Sequence, residues 1–198
     1  MRTQRIVGIV IGILVLAGCQ GSSSVRPLPE IRFHHLAPIR LDVGTIEVVS
    51  QYEPPFKAPH VEHILPISPE RAASQWARDR LQAQGASAWR AVFIVRQAPM
   101  VEKRLPIDTG FTGYFKKQQS EQYESRIDVV LEIRDDNGRL MGEAVAAANR
   151  GRTMPEGLTP NERDRLWHEM VEALITDMNT VLENTIRQHL ARYLIMAP

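Results

Sequence analysis

Cysteine is almost absent from this chain: Cys19 is the only one in 198 residues. A lone thiol forms no intrachain disulfide, and a metal site built on paired cysteines is excluded with it. Charge of one sign is missing as well, since 24 Lys and Arg stand against 23 Asp and Glu. Nothing in that balance suggests a nucleic-acid partner. A bilayer-spanning run is also lacking, because Ile6–Ala17 would make a helix of about 18 Å against a hydrocarbon core of about 30 Å. The chain has no Gly-x-Ser-x-Gly nucleophile elbow and no phosphate-cradling glycine loop.

What stands at the N-terminus is a basic stretch, Met-Arg-Thr-Gln-Arg, followed by the apolar Ile6–Ala17 and then Cys19. Charge followed by a short apolar run is the order of a cleaved secretory signal. Leu16-Ala17-Gly18-Cys19 resembles the lipobox of bacterial lipoproteins, which implies cleavage before Cys19, a diacylglyceryl thioether on its sulfur and fatty acyl chains such as palmitate. That use of the thiol leaves no cysteine chemistry for the folded protein. Two or three acyl chains hold a protein at a membrane far more firmly than one. In enteric lipoproteins Asp after the cysteine marks retention in the inner membrane; Gln20 stands here instead, so the resemblance implies the inner leaflet of the outer membrane, facing the periplasm.

Loss of residues 1–18 removes Arg2 and Arg5 and takes the formal charge from +1 to −1. Residues 19–38, which include "QGSSSVRPLPE", read as a lipidated flexible tether rich in Ser, Gly and Pro. Residues 39–198 are long enough for a single domain with its own core.

Within that domain "RLDVGTIEVVSQ", residues 40–51, reads as a first strand. Five prolines between 52 and 69 make the next stretch an extended connection. Ser68-Pro69-Glu70 starts a helix that the pattern carries to about Gln84, with Gly85 as its C-terminal cap. Its apolar stripe is Ala72, Ala73, Trp76, Ala77 and Leu81, mostly small, so the helix should lie close on a sheet. Residues 87–98 read as a second strand, with Trp89, Ala91, Phe93 and Val95 on one face and Arg90 and Arg96 on the other.

A hairpin follows, its first strand alternating Tyr123, Ile127, Val129, Leu131 and Ile133 with polar residues, and "DDNG" supplying the turn. "TPNE", residues 159–162, is a capping box that opens a long helix striped by Leu166, Met170, Leu174, Met178, Val181, Leu182, Ile186, Leu190 and Tyr193. The expected fold is α+β: a small antiparallel or mixed four-stranded sheet with two helices packed on one face, in the order β-α-β-β-β-α. The final helix should overhang strands of about 20 to 35 Å. The open sheet face and two sheet edges are candidate contact surfaces.

Two segments invite functional readings. "HVEH" sets His60 and His63 three apart around Glu62, which suggests a metal-dependent hydrolase as the alternative function, although the helical metalloprotease spacing is His-Glu-x-x-His and this segment lies between prolines. Solvated loop histidines explain it as well. The second segment exposes Phe111, Tyr114 and Phe115 beside Lys116 and Lys117, a combination suited to a partner groove or a lipid headgroup region, or to packing that extends the hairpin. No catalytic constellation and no cofactor or metal site is assigned.

The lipobox, the spacer, the first helix "AASQWARDRLQAQG", the hairpin and the last helix opened by "TPNERDRLWHEM" together resemble the auxiliary lipoproteins of ABC-type lipid transporters. The tyrosine-rich segment common just after the tether in that family is replaced here by "IRFHHLAP". The resemblance implies a non-enzymatic subunit anchored to the membrane through lipid on Cys19, with an envelope protein as partner.

Overall fold

The computed structural model describes residues 28–107 and 118–195. Cys19 with its lipobox, and Phe111, Tyr114, Phe115, Lys116 and Lys117, lie outside the described residues. The architecture is α+β, with seven strands and two long helices among the described residues: β1 (Ile39–Leu41), β2 (Thr45–Ser50), α1 (Pro69–Arg80), β3 (Leu81–Ala83), β4 (Arg90–Gln97), β5 (Met100–Arg104), β6 (Gln119–Arg134), β7 (Leu140–Pro155) and α2 (Pro160–His189). The main sheet is five-stranded and mixed, where four strands were expected. β2 runs parallel to β4, β4 and β5 pair antiparallel with successive halves of β6, and β7 pairs antiparallel with β6 along its whole length.

Both helices start where their caps dictate. The Ser68 hydroxyl accepts the Arg71 N–H at 3.2 Å, with Pro69 in the first turn of α1. At α2 the Thr159 Oγ1 accepts the Glu162 N–H, and the Glu162 carboxylate accepts the Thr159 N–H at 2.8 Å, closing the capping box. Ala72, Ala73, Trp76 and Ala77 of α1 are fully buried, and the Trp76 ring lies 5.5 Å from Phe93 of β4. Met170, Leu174, Met178, Leu182 and Ile186 of α2 are buried with them, each contributing roughly 1.5–3 kcal/mol of apolar transfer. Val181, placed in that stripe by its spacing, is instead 41% exposed; Trp167, Val171 and Ile175 complete the buried face.

Five further expectations are corrected. The stretch 40–51 is two strands, because the chain bends at Val43-Gly44, where a Cβ on Gly44 would stand 2.3 Å from the Ser87 carbonyl oxygen. α1 ends at Arg80 rather than Gln84: residues 81–83 leave the helix to pair in parallel with β1, and the Gln84 and Gly85 N–H groups bond to the carbonyls of Leu41 and Val43. Here tertiary pairing overrides helix propensity. The polar passage after the second strand contains β5.

The hairpin strands are also longer than expected, 16 residues each, or about 54 Å, so α2 finds a full-length platform rather than an overhang. The turn forms as read, with Gly138 at φ +79° and the Asp135 carboxylate accepting the N–H groups of Asn137 and Arg139.

The tether boundary moves as well. Ile31 and Phe33, read as part of a flexible spacer, are buried in the core cluster. Their segment is held by Asp79 of α1, which accepts the Phe33 N–H at 3.0 Å and two bonds from Arg32, while the His168 ring of α2 meets the Pro29 carbonyl at 2.7 Å. Packing therefore begins about ten residues before position 39. No described helix is long and apolar enough to cross a membrane.

Candidate functional site

The histidine segment is structural in its contacts. Glu62, only 3% exposed, accepts the Tyr52 hydroxyl at 2.5 Å on one oxygen and the Met100 N–H at 3.2 Å on the other. Burial first, and then the bond to Glu62, push the Tyr52 phenol well above its usual range. His60 Nδ1 lies 3.4 Å from Glu62, whereas the His63 ring turns the other way onto Phe56, at 5.6 Å. The two histidines do not converge, and no group of three or more metal-ligating side chains occurs among the described residues. What the segment does is cover the edge of β5, through Val61 N–H to Met100 C=O at 2.9 Å and Glu102 N–H to Pro59 C=O at 2.8 Å.

A groove of about 860 Å³ opens between the docked N-terminal segment and the two helices, near Leu28, Ile31, Arg71, Arg78, Arg165 and His168. Glu30, Glu70 and Asp164 also line it, so it carries charges of both signs and selects no single ligand class.

The open face of the main sheet is more selective. The inward residues of β4 and β6, Ala91, Phe93, Val95, Ile127, Val129, Leu131 and Ile133, face the helices and are fully buried. On the opposite face the strand register aligns Val49 with Ile94, Ile94 with Val130 and Val130 with Val145, an apolar row that crosses β2, β4, β6 and β7. Val92 and Ile94 are each 7% exposed and Val130 is buried, but Val145, at the β7 end of the row, is 38% exposed. One step along the strands, the register aligns Glu47, Val92, Glu132 and Glu143. Glu132 is satisfied by Arg134 at 2.6 Å, while Glu47 and Glu143 are exposed and have no ion-pair partner among the described residues. The apolar row is thus buried at its middle and accessible at its two ends, Val49 and Val145, with the exposed carboxylates Glu47 and Glu143 beside them.

The sequence does carry a signal for this row. Runs such as "AVFIV" and "VVLEI" place apolar residues on consecutive positions, where a strand solvated on one face would alternate strictly. The arginines and glutamates at neighbouring positions make that face read as partly solvated.

β7 is the long edge of the sheet. Its pairing with β6 is regular from Glu121 opposite Met154 to Ile133 opposite Gly142, and its other side pairs with no strand among the described residues.

The chain matches no known family model, and no curated protein matches its sequence. Among solved structures it is similar to a minor lipoprotein from Acinetobacter baumannii, at 17% identity over 81% of this chain and 99% of that one, with a TM-score of 0.38. It is also similar to the rare lipoprotein B from Shewanella oneidensis, at 11% identity over 73% and 96% of the two chains, TM-score 0.38. A third is a Xanthomonas campestris protein described under the family model DUF330, at 12% identity over 82% and 94%, TM-score 0.31.

Proposed function

We propose that the chain is an envelope lipoprotein, anchored through lipid on Cys19 to the inner leaflet of the outer membrane, whose periplasmic domain is a non-enzymatic auxiliary subunit of a complex for envelope lipid transport or assembly. The observation that carries the interaction role is the apolar row Val49, Ile94, Val130 and Val145, accessible at its Val49 and Val145 ends, on a sheet face that no helix covers among the described residues. Helices on one face of an open sheet protect only that face, and an apolar stripe on the other marks a contact surface. The acids that burial would make reactive are held in structural bonds: Glu62 to Tyr52 and the Met100 backbone, Asp79 to Arg32 and the Phe33 backbone.

Two measurements test this reading. Cys19→Ala should leave an uncut, misplaced precursor with an intact domain; mature protein still recovered at the outer membrane would end the anchor assignment. Photoreactive groups placed at Val49 and at Val145 in the native host should capture a protein subunit of an envelope complex, and capture of no protein from either position would end the interaction assignment.

A further inference from the structure

The two non-β7 edges of the main sheet are short or covered: β2 has six residues, and β5 is bonded by the segment 59–61. β7 has neither protection. Its middle, "EAVAAAN", contains no proline and no lysine, and its ladder with β6 has no bulge between Gly142 and Met154. Those are the devices that normally blunt an edge. Arg150 and Arg152 do not guard it either, because their guanidiniums are drawn onto α2, to Asp177 at 2.5 Å and to Glu169 at 2.9 Å. Among the described residues, side chains cover only the Met141 carbonyl, at the beginning of the strand, through the Tyr193 hydroxyl and Arg192. A row of backbone N–H and C=O groups about 40 Å long is left with no strand partner among the described residues.

We propose that this edge receives an extended segment of another polypeptide as an added strand, with a basic side chain set beside Glu143 and apolar or small side chains beside Val145 and Ala147. This deepens the auxiliary-subunit reading and rests on it. The backbone of β7 supplies the hydrogen bonds, and the two cross-sheet rows supply the side-chain choice: the new strand continues the acidic row at Glu143 and the apolar row at Val145.

A second copy of this chain does not fit the same edge. α2 lies lengthwise over β7, as Leu190 reaching Gly142, Asp177 reaching Arg150 and Glu169 reaching Arg152 show. Those contacts span about 32 Å of helix and about 34 Å of strand, so the two elements run side by side throughout. Joining two β7 edges would set strands about 4.8 Å apart beneath helices that need 8–10 Å between axes. A lone strand brings no helix and meets no such conflict.

The test uses the full lipid-anchored chain in its host, with a photoreactive residue placed in turn at Glu143, Val145, Ala147 and Asn149, all exposed on the open face. The expected result is a ladder: successive positions crosslink to residues stepping by two along one segment of one partner. A second readout uses Val145→Pro and Ala146→Pro. Neighbouring N–H groups in a strand point to opposite edges, so one variant breaks the β6 ladder and loses stability, and the other keeps its Tm but removes an outward donor. The Tm-neutral variant should lower the ladder crosslinks roughly tenfold. Capture at Val49 without a β7 ladder would overturn the edge proposal and leave the auxiliary role standing. Crosslinks to a second copy of this chain, or scattered ones, would overturn it too; capture of no protein from either Val49 or the β7 positions would remove both.

Discussion

The Trp76 indole N–H donates to the side-chain oxygen of Asn179 at 2.8 Å, and one turn further along both helices Arg80 reaches Glu183 at 2.7 Å. The equal four-residue steps mean that α1 and α2 run in the same direction, locked by two polar contacts above an apolar core. Arg80 is 2% exposed, so its charge depends on that carboxylate. Glu183→Ala should therefore destabilise the fold by about 3 kcal/mol, since it leaves a buried guanidinium unpaired. Asn179→Ala should cost about 1–3 kcal/mol through the orphaned indole N–H. Urea unfolding of both variants checks the order; an unaffected midpoint for Glu183→Ala would refute the lock.

Substitutions along α2 should separate its faces. Met170→Lys and Leu174→Lys put a charge among residues of the core cluster and should abolish folding or lower Tm by more than ten degrees. Val181→Lys, on the exposed side, should stay within about 0.5 kcal/mol of the parent. Thermal melts by circular dichroism read the difference, and equal losses at Leu174 and Val181 would show the buried face to be misassigned.

The features legible in the sequence are those fixed by local chemistry. The capping box at Thr159 and Glu162, the Ser68-Pro69 helix start, the Gly138 turn and the alternation through Tyr123 to Ile133 each need only a few neighbouring residues. The features that escaped depend on distant partners. Leu81–Ala83 continues a helical pattern and becomes a strand because β1 lies beside it. Ile31 and Phe33 sit in a stretch of spacer-like composition and are buried because Asp79 and the two helices receive them. The apolar row on the open face is foreshadowed by runs such as "AVFIV", but its alignment across four strands comes from their register, which no single segment holds.

Gly85 shows the same dependence and can be tested directly. Read locally it caps a helix; in the fold a Cβ there would lie 2.4 Å from the Asp42 carboxylate and 2.6 Å from the backbone at Asp42 and Val43. Those neighbours are mostly backbone and cannot turn aside, so Gly85→Ala should destabilise by about 1–3 kcal/mol. Gly142→Ala meets the ends of Leu190 and Tyr193 instead, side chains that can shift, and should cost less. Denaturant midpoints of the two variants decide between the readings, and a cap role for Gly85 would leave its substitution the milder one.

Docking of the N-terminal segment should depend on pH through Asp79. Burial pushes the Asp79 carboxyl upward, but the Phe33 N–H, Arg32 and Gln75 outweigh it and hold the group below its usual range. A depressed carboxylate stabilises the folded state above its unfolded value of about 3.9, and that contribution is lost as pH falls through the lower folded value. The segment should therefore stay docked from neutral pH to about pH 4 and release only on further acidification. Asp79→Asn removes the charge at every pH, so its segment should be loose already at pH 7. Limited proteolysis near Arg32, followed from pH 7 to pH 3 with an acid-stable protease at the low end, reads both states. If the parent and Asp79→Asn chains were cut equally slowly at pH 7, the carboxylate would not be what fastens Ile31 and Phe33 to the core.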